Sequence, residues 1–205
     1  MGIAGRLYLA RHGVTAANLR WVNVGIDAEP LLPAGREMAR ELAERVREQG
    51  IEEVWCSPIA RARETAEIVA ETCGLPLYED AALREMDVGP WAGLTDDEIS
   101  ERFPEEFARW QADPAAFVME GRETLPAVRQ RVVAALERIR QRGRVSLAVT
   151  HTAPIRLARV HYTGEETNQF AEFMPANCQL LRLVEDDGGA RLEPVADPSA
   201  AGAAG

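Results

Sequence analysis

The run Leu7-Tyr8-Leu9-Ala10-Arg11-His12-Gly13 decides how this chain is read. Three consecutive apolar side chains closed by a glycine make Arg6 to Ala10 a short buried strand, so Arg11 and His12 sit at its carboxyl end. The same arrangement returns near the other end of the sequence. Val145 to Val149 reads as a fully buried strand that delivers Thr150-His151-Thr152, and Pro154 follows where a helix would begin.

Between these strands the pattern alternates with helical spacing. Arg36 to Gln49 places Met38, Ala39, Leu42, Ala43 and Val46 on one face, with Pro33 ahead and Gly50 to end it. A second strand, Glu53 to Cys56, leads to Ser57-Pro58, the signature of an N-cap and a first-turn proline. Ile59, Ala62, Ala66, Val69 and Cys73 then recur at helical intervals, and Arg61 falls in the opening turn. Residues 75 to 78 are expected to form a third short strand. Asp80 to Arg122, with its scattered glycines and prolines, reads as an irregular segment covering a substrate. Within it Phe103, Phe107 and Trp110 have the spacing of a buried helix face, and Trp91 is a loop aromatic that covers a site or anchors the loop.

A further helix is predicted from about Thr124 to Gln141, with Leu125, Val128, Val132, Ala135, Leu136 and Ile139 inward and Gly143 ending it. One more strand is expected over Gln179 to Val184. Strands alternating with helices imply an α/β fold: one domain over residues 1–185, a three-layer α/β/α sandwich with a mainly parallel sheet, then a flexible tail over 186–205. Ligands of such sheets bind at the strand carboxyl ends, where Arg11, His12, Arg61 and His151 all fall.

The 205 residues carry 33 Asp and Glu against 23 Lys and Arg, a formal charge of −10. That balance repels polyanions, so neither nucleic acid nor a membrane is expected as a partner. An anionic small molecule would need a local cluster of arginines. The N-terminus lacks the apolar run of a signal peptide, no stretch is long enough to span a bilayer, and a cytoplasmic location is expected. Cys56, Cys73 and Cys178 are too few and too scattered for a disulfide framework or a zinc site, and read as buried thiols.

Histidine attacks phosphorus as neutral imidazole, a form it largely holds near neutral pH without help from a metal. The transfer also needs cationic forks around the phosphoryl oxygens and a carboxyl group for the leaving oxygen. Arg11 and Arg61 suit the first need, with His151 as a further donor. His161, about two turns beyond Pro154, reads as a structural helix residue, and Arg63 and Arg84 as surface partners of neighbouring acids.

At these residues a resemblance becomes specific. LYLARHGVTAANLRW, CSPIARARETA, LREMDVGPWAGLT, GRETL and VTHTAPIR follow one another as do the motifs of the histidine phosphatase superfamily, the phosphoglycerate mutase-like family. They span roughly residues 6 to 185 and resemble its cofactor-independent phosphatase branch. The resemblance implies that His12 is the phosphorylated nucleophile and that Arg11, Arg61 and His151 form the phosphate pocket. It also implies that Asn18, Gly13 and the Thr152 amide contact the substrate, and that Glu85 is the proton donor, with Asp87 as substitute. No metal or cofactor is implied.

Two positions depart from the family's pattern: Val24-Gly25-Ile26-Asp27 loses a polar side chain and displaces an aspartate, and Thr152 stands where glycine is common. The expected reaction is hydrolysis of a small phosphomonoester. A phosphoglycerate mutase is the nearest alternative, disfavoured because the long insertion after the acid is missing, and a catalytically silent phosphate-binding module is the third reading. A homodimer through an edge strand or loop is left open.

Overall fold

The computed structural model describes residues 5–187 and 189–196. Its elements in chain order are β1 (Leu7–Arg11), α1 (Ala16–Leu19), α2 (Pro33–Glu48), β2 (Glu53–Cys56), α3 (Ala60–Cys73) and β3 (Leu77–Glu79), followed by α4 (Asp96–Arg102), α5 (Pro104–Ala112) and α6 (Leu125–Arg140). The chain continues through β4 (Ser146–Thr150), α7 (Thr152–Thr163), β5 (Leu180–Asp186) and β6 (Gly189–Pro194). The six strands form one sheet in the order β3-β2-β4-β1-β5-β6. Strands β1, β2, β3 and β4 run parallel, whereas β5 and β6 are antiparallel to their neighbours.

Alternation along the strands assigns the two faces. Leu7 and Leu9 pack with Val128, Val132 and Leu136 of α6 and Ile155 and Leu157 of α7. Tyr8 and Ala10 point the other way, into Leu42 and Val46 of α2 and Ala62, Ala66 and Val69 of α3. The result is the expected three-layer sandwich.

Register then positions the site. Leu7 pairs with Ser146 and Arg11 with Thr150, while Cys56 pairs with Val149. The residues that follow these three strands therefore emerge together: His12 N donates to Thr150 O at 3.0 Å and Ser57 N to Val149 O at 3.1 Å. The crossing of the chain over β4 thus brings His12, Ser57 and His151 side by side at the carboxyl edge.

Several expectations need correction. A flexible tail is expected over 186–205, but Gly189–Pro194 forms β6, zipped to β5 from Leu181↔Pro194 to Asp186↔Gly189. Residues 188 and 197–205 of that tail lie outside the described residues. Ser57-Pro58 does not open α3, which begins at Ala60 with Ile59 in the N-cap position. The segment 80–122 is more regular than expected, since Thr95 caps α4 with a reciprocal Thr95–Glu98 box and Pro104 opens α5. Helix α5 has no fully buried residue: Phe107 and Trp110 are half-buried and look onto a cleft. His161 is exposed on α7.

Candidate active site

A cleft of about 1520 Å³ opens at the carboxyl edge of the sheet. Its lining includes Arg11, His12, Asn18, Arg61, Glu85 and Thr152, so six of the eight expected site residues share one space. His151 is fully buried behind His12, their ring centroids 5.2 Å apart. Gly13 does not reach the cleft.

The imidazole of His12 is held from both nitrogens. Nδ1 lies 2.7 Å from the Gly13 carbonyl oxygen, and the Arg61 Nε–H donates to Nε2 at 3.2 Å. A carbonyl only accepts and a guanidinium only donates, so Nδ1 carries the hydrogen and Nε2 the lone pair. Burial, with Arg61 and Arg11 nearby, lowers the His12 pKa well below the ordinary histidine value. The ring is therefore neutral, with its reactive nitrogen defined.

Gly13 shapes the site through its backbone. Its amide donates to Thr65 Oγ1 at 3.0 Å, its carbonyl fixes His12, and a Cβ there would overlap the backbone oxygen of Gly35. Arg61 is likewise more committed than expected. Its Nη1 donates to Asp27 O at 2.9 Å and its Nη2 to Gly25 O at 2.7 Å, which leaves the Nε edge against His12. The altered 24–27 segment thus serves Arg61 with carbonyls, and Gly25 turns there with φ of 59°.

Arg11 reaches the cleft, with Nη1 on Pro175 O at 3.0 Å and Nε without a protein partner among the described residues. Asn18 Oδ1 accepts from Thr15 N at 3.2 Å and from Asn177 Nδ2 at 3.1 Å, a closure between α1 and the turn before β5. Glu85 sits against the N-terminus of α7: Oε2 accepts from Thr152 N at 3.1 Å, Oε1 from Ala153 N at 3.2 Å and from Met86 N at 2.9 Å. The Thr152 amide, expected to meet substrate, is thus occupied by Glu85. Asp87 instead caps Gly89 N at 2.9 Å and does not line the cleft, which removes it as a substitute acid. Arg63 and Arg84 pair with Glu67 and Glu123, as expected of structural arginines.

Some site residues had no functional reading in the sequence. Ser57 Oγ lies 2.8 Å from His151 Nε2 and also accepts from Ile59 N at 3.1 Å. Only its position one residue beyond β2, level with His12 and His151, could have signalled this. Arg156, one turn into α7, lines the cleft beside Arg11 and Glu85 and donates from Nε to Phe173 O at 2.6 Å. Cys56 and Cys178 are buried, and burial pushes each thiol up to about 12, so neither is a nucleophile.

Fold and cleft together define the class: an α/β protein with a neutral, oriented histidine and converging arginines at the carboxyl ends of parallel strands. The chain belongs to the histidine phosphatase superfamily (branch 1), whose sequence profile matches residues 7–198. It is 29% identical over 170 residues to phosphoserine phosphatase 1 of Hydrogenobacter thermophilus, covering 82% of this chain and 81% of that one. Among solved structures it resembles YhfR of Bacillus stearothermophilus, with a TM-score of 0.85, 29% identity and coverage of 95% and 98%. It also resembles the alpha-ribazole phosphatase of Shigella flexneri, with a TM-score of 0.81, 25% identity and coverage of 94% and 96%.

Proposed function

We propose that the chain hydrolyses small phosphomonoesters through a phosphohistidine on His12, without a metal. The observation that carries the reading is the tautomer of His12: its Nε2 lone pair faces the cleft's arginines while Nδ1–H is tied to Gly13. In the first half, Nε2 forms a bond to phosphorus as the phosphorus–alkoxide bond breaks, and Glu85 gives its proton to the leaving oxygen. In the second half, Glu85 takes a proton from water, whose oxygen attacks phosphorus and releases phosphate and free His12.

Charge on the phosphoryl oxygens is met by Arg11 and Arg156, and by the Arg61 Nε–H once the bond from His12 Nε2 to phosphorus has displaced it from that nitrogen. Ser57 accepts from Ile59 N, so its hydroxyl hydrogen is available to His151 Nε2. His151 then carries its own hydrogen on Nδ1, a buried atom without a partner among the described residues and suited to a phosphoryl oxygen.

His12→Ala is expected to abolish both phosphate release and acid-labile labelling of the protein by substrate phosphate. Retained turnover would exclude His12 as the nucleophile. Activity unchanged after exhaustive chelation supports the metal-free reading, and its loss with rescue by a divalent cation refutes it.

A further inference from the structure

Arg122 is unlike the other buried and partly buried arginines compared with it among the described residues. It is only 8% exposed, yet no hydrogen bond or ion pair joins its guanidinium to any described residue. By contrast Arg131 is held by the Ala82, Arg84 and Glu85 carbonyls and by Glu123, Arg140 by Glu137 and Glu185, and Arg61 by the Gly25 and Asp27 carbonyls. The Arg122 guanidinium carbon lies 4.0 Å from the Trp110 ring centroid, 4.8 Å from that of Trp91 and 5.2 Å from that of Phe117. The rings offer attraction to the cation but no acceptor for its N–H groups. Close by, the indole N–H of Trp91 is also buried without an acceptor.

Both residues line the cleft. Among the described residues no carboxylate is supplied to this cation. Burial alone pushes Arg122 down to about 10, with no neighbouring charge contributing, whereas Glu85 acts on Arg11, Arg61 and Arg156. Arg122 therefore stands apart from the reaction centre while opening onto the same space.

We propose that Arg122, presented by Trp91, Trp110 and Phe117, selects substrates that carry a second anionic group remote from the phosphate being transferred. This rests on the phosphatase reading above. A planar fork whose faces are covered by rings leaves its N–H edge to an oxyanion, and a carboxylate or a second phosphate meets it bidentately. Because that contact is remote from the reacting phosphorus, it binds ground state and transition state alike and acts on KM.

The test compares phenyl phosphate with 4-carboxyphenyl and 4-phosphonophenyl phosphate on the full chain. The wild type is expected to prefer at least one of the anionic probes. In Arg122→Leu the ratio of kcat/KM for that probe to that for phenyl phosphate is expected to fall by about ten- to a hundredfold, through KM. Arg122→Glu is expected to turn the preference towards 4-(aminomethyl)phenyl phosphate. The probe whose ratio falls identifies the group as carboxylate or phosphate. No wild-type preference, or an unchanged ratio in Arg122→Leu because all substrates decline together, overturns the proposal and leaves Arg122 a wall residue. If the wild type hydrolyses none of the probes, the phosphatase reading fails separately. The same ratio is then read by calorimetry from binding of benzylphosphonate and its 4-carboxy derivative, with the same outcomes decisive.

Discussion

At the scale of single residues, the reactivity of His12 is decided by which ring nitrogen holds the hydrogen, and that is set by one carbonyl and one guanidinium. Ring nitrogen NMR is expected to report a neutral Nδ1–H tautomer for His12 at pH 6, below the ordinary histidine value, and an imidazolium there contradicts the account. Gly13→Ala forces a methyl group onto the Gly35 backbone oxygen, which no rotamer change relieves. Overpacking of this kind costs about 1–3 kcal/mol, and because Gly13 O also aims His12, kcat is expected to fall along with the urea midpoint. Ser57→Ala removes the partner of His151 Nε2. Loss of a buried hydrogen bond costs about 1–3 kcal/mol, so kcat should drop roughly tenfold or more; unaltered kcat would show that His151 needs no such support.

Elements are joined at the opposite edge of the sheet by Glu53 at the start of β2. Its buried carboxylate accepts from Arg142 beyond α6 at 3.0 and 3.1 Å, from Trp55 Nε1 at 2.9 Å and from Ser146 Oγ of β4 at 3.0 Å. Burial raises its pKa, but the hydrogen bonds from Arg142, Trp55 and Ser146 outweigh it and hold the group below the usual carboxylate range. A depressed folded pKa contributes stability that is present above the unfolded value and lost as pH falls through the folded one. Glu53→Gln is therefore expected to lower stability by about 1.5–3 kcal/mol at pH 7, as for hydrogen bonds to a charged group. Urea titrations should show the gap closing below about pH 4, since the unfolded value is about 4.3. A gap independent of pH would assign the loss to packing instead.

For the whole molecule the two site histidines set a different pH dependence. Burial is the main cause that lowers both His12 and His151 well below 6.5, with Arg61 next for each. The unfolded chain thus takes up two protons as pH falls below about 6.5 that the folded chain does not, and stability declines by up to about 2.7 kcal/mol per pH unit until the folded values are reached. Thermal or urea unfolding between pH 7 and 5 measures this slope, and the double variant His12→Ala, His151→Ala should flatten it. Vanadate or inorganic phosphate, bound by the folded cleft alone, is expected to raise the Tm at neutral pH.

Much of this architecture is legible from the chain because it is local. The apolar runs at Leu7 to Ala10 and Val145 to Val149 mark buried strands, and helical spacing marks α2, α3 and α6. A strand ending in His12 or His151 places chemistry at the carboxyl edge of a parallel sheet, so the convergence of Arg11, His12 and Arg61 on one cleft follows from short-range pattern and handedness, whereas Glu85 is legible only through the family resemblance. The pairing of Gly189–Pro194 with β5 was hidden, because its weakly patterned residues become a strand only when a partner edge is available. Only tertiary structure decided the tautomer of His12, the commitment of Arg61 to Gly25 and Asp27, the support of His151 by Ser57, and the isolation of Arg122 among aromatic rings. Each of these is a hydrogen bond made or withheld between residues distant in sequence, and such contacts follow from register and packing, which no local pattern encodes.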